Sequence, residues 1–334
     1  MSTEQFLTQE ALLEAQNDEE ILKENQYRWV MFPIKYKIFW NYYKEIESTF
    51  WTAEDINFDK DKDSLEKADK ALKEMIMELL CYYSLKDIHL YEAQAITTSK
   101  LLDTIQIPEG RAFYGFQMCM ENIHNEVFAS AFDTYIPNLE DKQKLYNKII
   151  KIDSIRKKQE WLKSMHSTDM PYFKQLIIQY IIKIIFNGSL NILISYCKQN
   201  AVLPNFCSAY EKIYRDEHLQ GDFAVMCANN LNHKLKNENV LDYFRESVEL
   251  EYQFCLDVLN LDLLEIKKEQ IKKFLQYLAD EMLVNLKMSK HFNAKYPFTW
   301  PEFVKLIVDE TEKAEPVKTE DLYGKKDITF DEDF

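Results

Sequence analysis

Scarcity of glycine and proline is the feature that most limits the folds open to this chain. Its 334 residues include only 5 Gly and 8 Pro. An ordinary protein contains these residues at roughly 7% and 5%, so both are well below their usual share. Few tight turns can be built from so small a supply, because most turn types depend on these residues. The chain is therefore expected to be all-α, with long helices that share a core drawn from the 46% of apolar residues.

Prolines predict where these helices meet. Pro108, Pro137, Pro171 and Pro204 each fall where one helical run gives way to the next, as expected of a residue that cannot continue a helix. Asn138 precedes a further run in the manner of a helix N-cap. These residues predict a succession of helices in one large domain.

The apolar stretch Leu176–Tyr196 raises the question of a membrane span. Four polar residues interrupt it at intervals of four, namely Gln179, Lys183, Asn187 and Asn191. Residues four apart share one helix face, and a lipid-embedded helix would not carry so regular a polar stripe. The pattern favours a buried helix of a bundle.

Charge and cysteine content exclude some functions. The formal net charge of −15 argues against nucleic acid as a partner, because phosphates require Lys and Arg. The six cysteines show no CxxC spacing, and the acidic N-terminus contains no apolar signal segment. We expect reduced thiols, no membrane attachment and a cytoplasmic location.

One short motif carries possible chemistry. Glu121 and His124 are three residues apart in a helical run, so both side chains can reach the same inward point. Carboxylate di-metal sites in helical bundles use this ExxH pair twice, but Glu217 is followed at the matching distance by Gln220. His218 points about 100° away from Glu217 and cannot replace that histidine. By itself, the single pair is also consistent with a buried histidine satisfied by a glutamate.

Longer strings carry a family resemblance. They are FPIKY (32–36), STFWTAED (48–55), FYGFQ (113–117), ENIHNEV (121–127), DTYI (133–136), FNGS (186–189) and RDEHLQGDFA (215–224). In this order they resemble the small subunit of class I ribonucleotide reductase, from about residue 27 to the C-terminus. The resemblance implies a ferritin-like helical bundle and a part in the oxidoreductase complex that makes deoxyribonucleotides for DNA replication.

The resemblance also implies a di-iron site and a tyrosyl radical, from which this sequence departs. Of six metal-ligand positions, those retained are Glu121, His124 and Glu217. The positions assigned as substituted are Asn57 for an aspartate, Ile182 for a glutamate and Gln220 for the second histidine. The radical tyrosine is matched by Phe128, while Trp40 and Asp216 match the first residues of the radical path.

The substitutions predict that no pair of metals binds. Only Glu121 and Glu217 remain of the family's four carboxylates, too few to neutralise two divalent cations in a dry core. At most one iron or manganese ion could be held by these glutamates and His124. The alternative is no metal at all, with the same side chains and Gln220 forming a polar network.

The sequence divides into three parts. Residues 1–25 form a polar N-terminal arm, 26–308 the helical domain, and 309–334 a charged flexible tail. The tail ends in Phe330, Asp331, Asp333 and Phe334, which resemble the family's docking peptide for the large subunit. Aromatic anchors with acidic neighbours suit such a docking role.

Three hypotheses about function follow. The first is a non-radical companion that pairs with an intact small subunit or with itself and docks on the large subunit. The second is an active radical-generating subunit with an altered metal centre. The third is a repurposed ferritin-like metal-binding protein, which the retained docking tail disfavours.

Overall fold

A computed structural model describes residues 5–28, 31–85, 92–165 and 170–300, without the side chains of residues 92–96. Within these ranges the chain is mostly helical. The α-helices are α1 (Gln9–Ala15), α2 (Lys37–Ser48), α3 (Lys62–Lys67), α4 (Lys70–Ser84), α5 (Glu92–Thr104), α6 (Pro108–Tyr135), α7 (Leu139–Ile149), α8 (Asp153–Met165), α9 (Tyr172–Ile184), α10 (Gly188–Gln199), α11 (Pro204–Asn230), α12 (Asn237–Val258) and α13 (Lys268–Asn285). The strands are β1 (Gln5–Leu7) and β2 (His233–Leu235).

The helix boundaries follow the sequence signals. Pro108 and Pro204 open α6 and α11, where a missing backbone N–H costs nothing. Pro171 precedes α9, and Pro137 separates α6 from α7. The Asn138 side chain accepts a hydrogen bond from the N–H of Glu140 at 2.8 Å and so caps α7. The predicted helix starts are confirmed.

Helices α6, α9 and α11 form the centre of the bundle. Helix α6 packs against α2, α4 and α5, while α9 packs against α5 and α11. Helix α11 in turn contacts α6. The ridges of these helices enclose a core in which residues from distant parts of the sequence meet. The all-α bundle expected from the composition is confirmed.

The apolar run 172–199 lies inside this core. It contains α9, a 3-10 turn at Ile185–Asn187, and α10. Of the described residues, this run alone is long and apolar enough to cross a membrane, yet it is completely buried within the protein. The prediction of a buried bundle helix is confirmed.

The N-terminal segment is attached to the body by a short parallel ladder. Strand β1 pairs with β2, and Phe6 lies opposite Lys234. Glu19 reinforces the attachment, since its Oε1 accepts the backbone N–H of His233 at 2.7 Å. At the other end, residues up to 298 belong to the same compact unit. The docking tail predicted at 309–334 lies outside the described residues.

Candidate functional site

A buried lysine lies at the centre of the polar core. Lys183, near the C-terminal end of α9, places its Nζ 3.0 Å from Oε1 of Glu121 and 3.1 Å from Oε1 of Glu217. These glutamates come from α6 and α11, so one ammonium group joins three helices. The Lys183 side chain is fully buried. A buried ion triad therefore occupies the point where the retained glutamates converge.

Glu121 has further donors on the same oxygen. The Gln117 amide, one turn earlier on α6, donates to Oε1 at 2.9 Å. The hydroxyl of Thr98 donates to it at 3.1 Å. Charge-assisted hydrogen bonds of this kind are stronger than neutral ones, and together they hold the carboxylate in one orientation.

His124 links the triad to a second buried carboxylate. Its Nε2 lies 3.1 Å from Oδ2 of Asp216, and its Nδ1 lies 3.4 Å from Oε1 of Glu217. Trp51 donates its indole N–H to the same Oδ2 of Asp216 at 2.8 Å. The Trp51 ring also stacks on the His124 ring, with 6.0 Å between centroids.

The surrounding carboxylates favour the protonated, charged forms of His124 and Lys183. Burial by itself lowers the pKa of His124, but hydrogen bonds and charge from Asp216 and Glu217 outweigh it and raise the pKa. Burial also lowers the pKa of Lys183, and the charges of Glu121 and Glu217 again reverse the direction. Lys183 thus supplies a positive charge beside the glutamates, and the same group of buried carboxylates favours the protonated form of His124.

Two assignments made from the sequence need correction. Asn57 is exposed and caps a 3-10 turn, where its Oδ1 accepts the N–H of Asp59 at 3.1 Å. It is not a substituted ligand of this site. Ile182 is buried as an apolar residue, and the residue of α9 that reaches the glutamates is its neighbour Lys183. The side chain of α9 that meets the glutamates therefore carries a positive charge.

The tryptophan of the suggested radical path also needs correction. Trp40 packs on α2 against Phe32 and Tyr43, with ring centroids 5.8 and 5.3 Å away. The tryptophan bonded to Asp216 is Trp51. Asp216 itself is where the resemblance placed it, beside His124. Trp51 lies within one of the family-like strings, so its identity was available from that string.

The other two predicted positions are buried as the helical pattern required. Phe128 stacks on Tyr83 with ring centroids 5.3 Å apart, and its phenyl ring has no oxidisable hydroxyl. Gln220 lies one turn after Glu217, and neither atom of its amide has a hydrogen-bond partner in the described structure. The same holds for Gln179, one turn before Lys183.

The polar stripe on the apolar run was the sequence signal for Lys183. All four of its members are buried, with exposed fractions of 6% or less. Their regular spacing predicted a shared face, but the sequence analysis did not connect that face with the ExxH residues. Among the described residues, no group of three or more His, Cys, Asp or Glu side chains is arranged to hold a metal ion.

Comparison with known proteins gives one consistent family. The model of the family described as "Ribonucleotide reductase, small chain" matches residues 28–297. The ribonucleoside-diphosphate reductase small chain of Trypanosoma brucei brucei is 32% identical over 294 residues, covering 88% of this chain and 86% of its own. The corresponding small subunit of Dictyostelium discoideum is 33% identical over 290 residues, covering 86% and 85%. Relatives of this kind are small chains of an oxidoreductase.

Solved structures agree on the fold. The Rnr4 homodimer of Saccharomyces cerevisiae has a TM-score of 0.78 at 27% identity, covering 91% of this chain and 96% of its own. The dimanganese(II) NrdF of Streptococcus sanguinis has a TM-score of 0.71 at 18% identity, covering 85% and 99%. The second likeness concerns the fold alone.

Proposed function

Because the chain belongs to the ribonucleotide reductase small-chain family, we propose that it is a non-radical companion subunit of ribonucleoside-diphosphate reductase. In this role it pairs with a radical-bearing small subunit and docks on the large subunit, without a metal pair or radical of its own. The single observation that carries the proposal is the Lys183 ammonium between Glu121 and Glu217.

The described donor set does not suit a pair of divalent cations. Lys183 already places a positive charge between the two glutamates on which a metal pair would depend. A unit charge 4 Å from another costs about 4 kcal/mol in a medium of effective dielectric 20, and a divalent ion beside the ammonium would meet twice that repulsion. The buried triad thus supports a metal-free core, which Lys183 stabilises through charge compensation.

The radical position supports the same role. Phe128 is buried against Tyr83 and Phe206, and a phenyl ring cannot supply the phenoxyl radical of the family. The Trp51–Asp216–His124 contacts hold helix α11 against α6 and the segment that follows α2. We assign these contacts a structural role, because the proposed subunit has no metal pair that could oxidise Trp51.

The test starts from the isolated full-length chain. It is loaded with Fe(II) or Mn(II) without oxygen and then exposed to air, beside a radical-bearing small chain treated identically. We expect metal analysis to find far less than two ions per chain, and electron paramagnetic resonance to find no tyrosyl signal. Two bound ions with a radical would refute the proposal.

An activity measurement separates a companion from a catalyst. The chain is mixed with the large subunit alone, and then with the large subunit plus a radical-bearing small chain. We expect reduction of ribonucleoside diphosphates only in the second mixture. Turnover in the first mixture would establish the alternative of an active subunit with an altered metal centre.

A further inference from the structure

A polar cavity of about 700 Å³ lies where the N-terminal segment meets the start of α6. Its walls include Arg28 of that segment, Gln106 in the turn after α5, and Arg111 in the first turn of α6. A smaller cavity of about 180 Å³ shares Arg28 and Gln106 with it and extends it to Lys35. Cavities of this combined size suit small organic molecules rather than single ions.

Basic side chains outnumber acidic ones around the joined cavity. The basic residues are Lys23, Arg28, Lys35 and Arg111, and the acidic residues are Glu20 and Glu24. Such a concentration of positive charge is unexpected in a chain whose net charge is −15. Lys35 and Arg111 are exposed, and neither forms an ion pair with another described residue. Both are therefore available to an anionic ligand.

Arg28 is held in place while one of its nitrogens stays unpaired. Its Nη2 donates to Oε1 of the buried Glu109 at 2.8 Å, but its Nη1 is buried and has no hydrogen-bond partner among the described protein atoms. The same Oε1 accepts the backbone N–H groups of Lys35 and Tyr36 at 2.9 and 3.1 Å. Burial by itself raises the pKa of Glu109, yet these donors outweigh it and lower the pKa. A buried N–H without an acceptor is unfavourable, and an anionic ligand would supply that acceptor.

A phosphate group suits these cations better than a carboxylate does. A carboxylate has one negative charge and can be satisfied by a single guanidinium group. A phosphate monoester has about two negative charges near neutral pH, so it can pair with Arg28 and Arg111 together. These arginines reach the cavity from different parts of the chain, and their planar N–H forks match phosphate oxygens. Lys35 adds positive charge from the smaller cavity.

Uncharged amides form another part of the wall, namely those of Asn25, Gln26 and Gln106. Oδ1 of Asn25 accepts the N–H of Tyr27 at 3.0 Å, and Nε2 of Gln106 donates to the carbonyl of Asp103 at 2.9 Å. These bonds orient both amides and leave the second polar atom of each for a ligand. Hydroxyl groups can pair with amide atoms of either kind, whereas an apolar ligand would leave them unpaired.

We propose that this cavity binds a sugar phosphate, with the phosphate group at Arg28 and Arg111 and the sugar hydroxyls at the amide wall. The bound molecule joins the N-terminal segment to α6, the helix that carries Glu121 and His124. The inference goes beyond the proposed function, since it concerns a separate cavity and neither the metal content nor the radical.

Calorimetric titration of the full-length chain tests the ligand class. The probes are ribose 5-phosphate, inorganic phosphate and ribose, each added at low ionic strength. We expect saturable binding of one ribose 5-phosphate per chain, about tenfold tighter than that of inorganic phosphate, because the hydroxyl groups add hydrogen bonds to the amides. Ribose should not bind measurably, since it lacks the charged group that the arginines recognise.

Two variants test the assigned cations without removing a buried counter-charge. Arg111→Gln should weaken binding of ribose 5-phosphate by about tenfold, because one charge-assisted contact is lost. Arg28→Lys keeps a cation beside Glu109 but removes the guanidinium fork, and should weaken binding to a similar extent. Arg156→Gln, at an exposed position of α8, makes the same charge change as Arg111→Gln and should leave binding unchanged.

Thermal unfolding gives a second readout. A ligand that binds only the folded chain raises its thermal midpoint, so saturating ribose 5-phosphate should raise the midpoint of the wild type and of Arg156→Gln. It should have little effect on Arg111→Gln. Circular dichroism of each variant without ligand checks that the fold is retained.

Three results would overturn the inference. They are the absence of saturable binding at millimolar ribose 5-phosphate, equal affinity for inorganic phosphate and ribose 5-phosphate, and equal losses of affinity in Arg111→Gln and Arg156→Gln. The second result would mean that the cavity recognises only an anion, and the third that surface charge alone attracts the probe. Each leaves the proposed function intact, because that function is read from metal content, radical signal and turnover.

Discussion

A single long side chain changes what the core of this bundle can hold. Lys183 reaches from α9 into the space between Glu121 and Glu217, with both Nζ–O distances near 3 Å. A buried carboxylate without a counter-charge is strongly unfavourable, so the ammonium supplies positive charge that these glutamates need. The remaining donors, Gln117 and Thr98, orient the charges but do not neutralise them.

The first prediction concerns removal of this cation. Lys183→Met should lower the free energy of unfolding by about 3–5 kcal/mol, because Glu121 and Glu217 lose their counter-charge. Urea unfolding at neutral pH measures the loss. Lys174→Met is the matched control on the same helix, since Lys174 donates its hydrogen bond to the neutral side chain of Gln9, at 3.2 Å. An equal loss in both variants would contradict the charge argument.

The second prediction reverses the charge. Lys183→Glu places a third carboxylate beside Glu121 and Glu217. The repulsion among the three should destabilise the metal-free protein and favour binding of a cation. We expect Mn(II) to raise the thermal midpoint of this variant and to leave that of the wild type unchanged. A comparable rise in the wild type would mean that Lys183 does not exclude metal.

The third prediction uses His218, which stacks on Tyr214 and donates its Nδ1–H to the Tyr214 carbonyl at 2.9 Å. Burial lowers its pKa to about 4, whereas the unfolded value is about 6.5. Between these values the unfolded chain binds the proton and the folded chain does not, so stability falls as pH drops through this range.

His218→Phe keeps the stacking and removes the titration. The unfolding free energy of the variant should therefore decline less than that of the wild type between pH 6.5 and pH 4. Above pH 7 the difference between the two proteins should be constant. Parallel profiles through the acid range would contradict the assigned pKa.

At the scale of elements, a second buried ion pair joins helices that the central triad does not reach. Lys158 of α8 lies 2.6 Å from Oε2 of Glu251 on α12, and both side chains are fully buried. The other oxygen of Glu251 accepts the N–H of Ser189, in the first turn of α10, at 2.9 Å. The Phe254 ring lies 4.3 Å from the Lys158 ammonium and adds a cation–π contact.

The fourth prediction concerns this second pair. Glu251→Gln should destabilise the protein by about 3–5 kcal/mol, because Lys158 is left buried with no anion. The double variant Lys158→Met/Glu251→Leu should recover most of the loss, since an apolar pair of similar volume needs no counter-charge. Thermal and urea unfolding measure both. A double variant as unstable as the single one would show that packing, not charge, dominates here.

At the scale of the molecule, the proposed docking role belongs to a segment that is separate in sequence from the buried core. The aromatic and acidic residues 330–334 follow the helical domain, whereas the ion triad lies inside the bundle. Loss of a metal pair from the core would therefore leave the proposed docking segment unchanged.

The fifth prediction separates the tail from the fold. Removal of residues 328–334 should abolish binding to the large subunit and leave the thermal midpoint of the chain unchanged. Phe330→Ala with Phe334→Ala should reproduce the loss, because the aromatic rings are the expected anchors, and Thr329→Ala is the control. Unaltered binding after truncation, measured by calorimetry, would remove the docking role.

Local sequence patterns were enough to predict the fold class and to place part of the site, namely Glu121 and His124. Helical periodicity and proline positions depend on neighbours along the chain, so they correctly predicted the bundle, the helix starts and the burial of Leu176–Tyr196, which lies within the buried run 172–199. The i, i+3 relation likewise placed Glu121 and His124 on one inward face. The family strings extended these local inferences to Asp216 and Glu217.

Only the tertiary structure identified which side chains form hydrogen bonds and ion pairs with these site residues. The hydrogen bond between Trp51 and Asp216 spans 165 residues, a distance over which no periodicity carries information. Ungapped alignment to the family string at Asn187-Gly188-Ser189 selected Ile182. The ammonium of Lys183, the next residue of α9, instead reaches Glu121 and Glu217, which are 62 and 34 positions away in the sequence. Only the folded chain shows these contacts, because no local pattern relates residues so far apart.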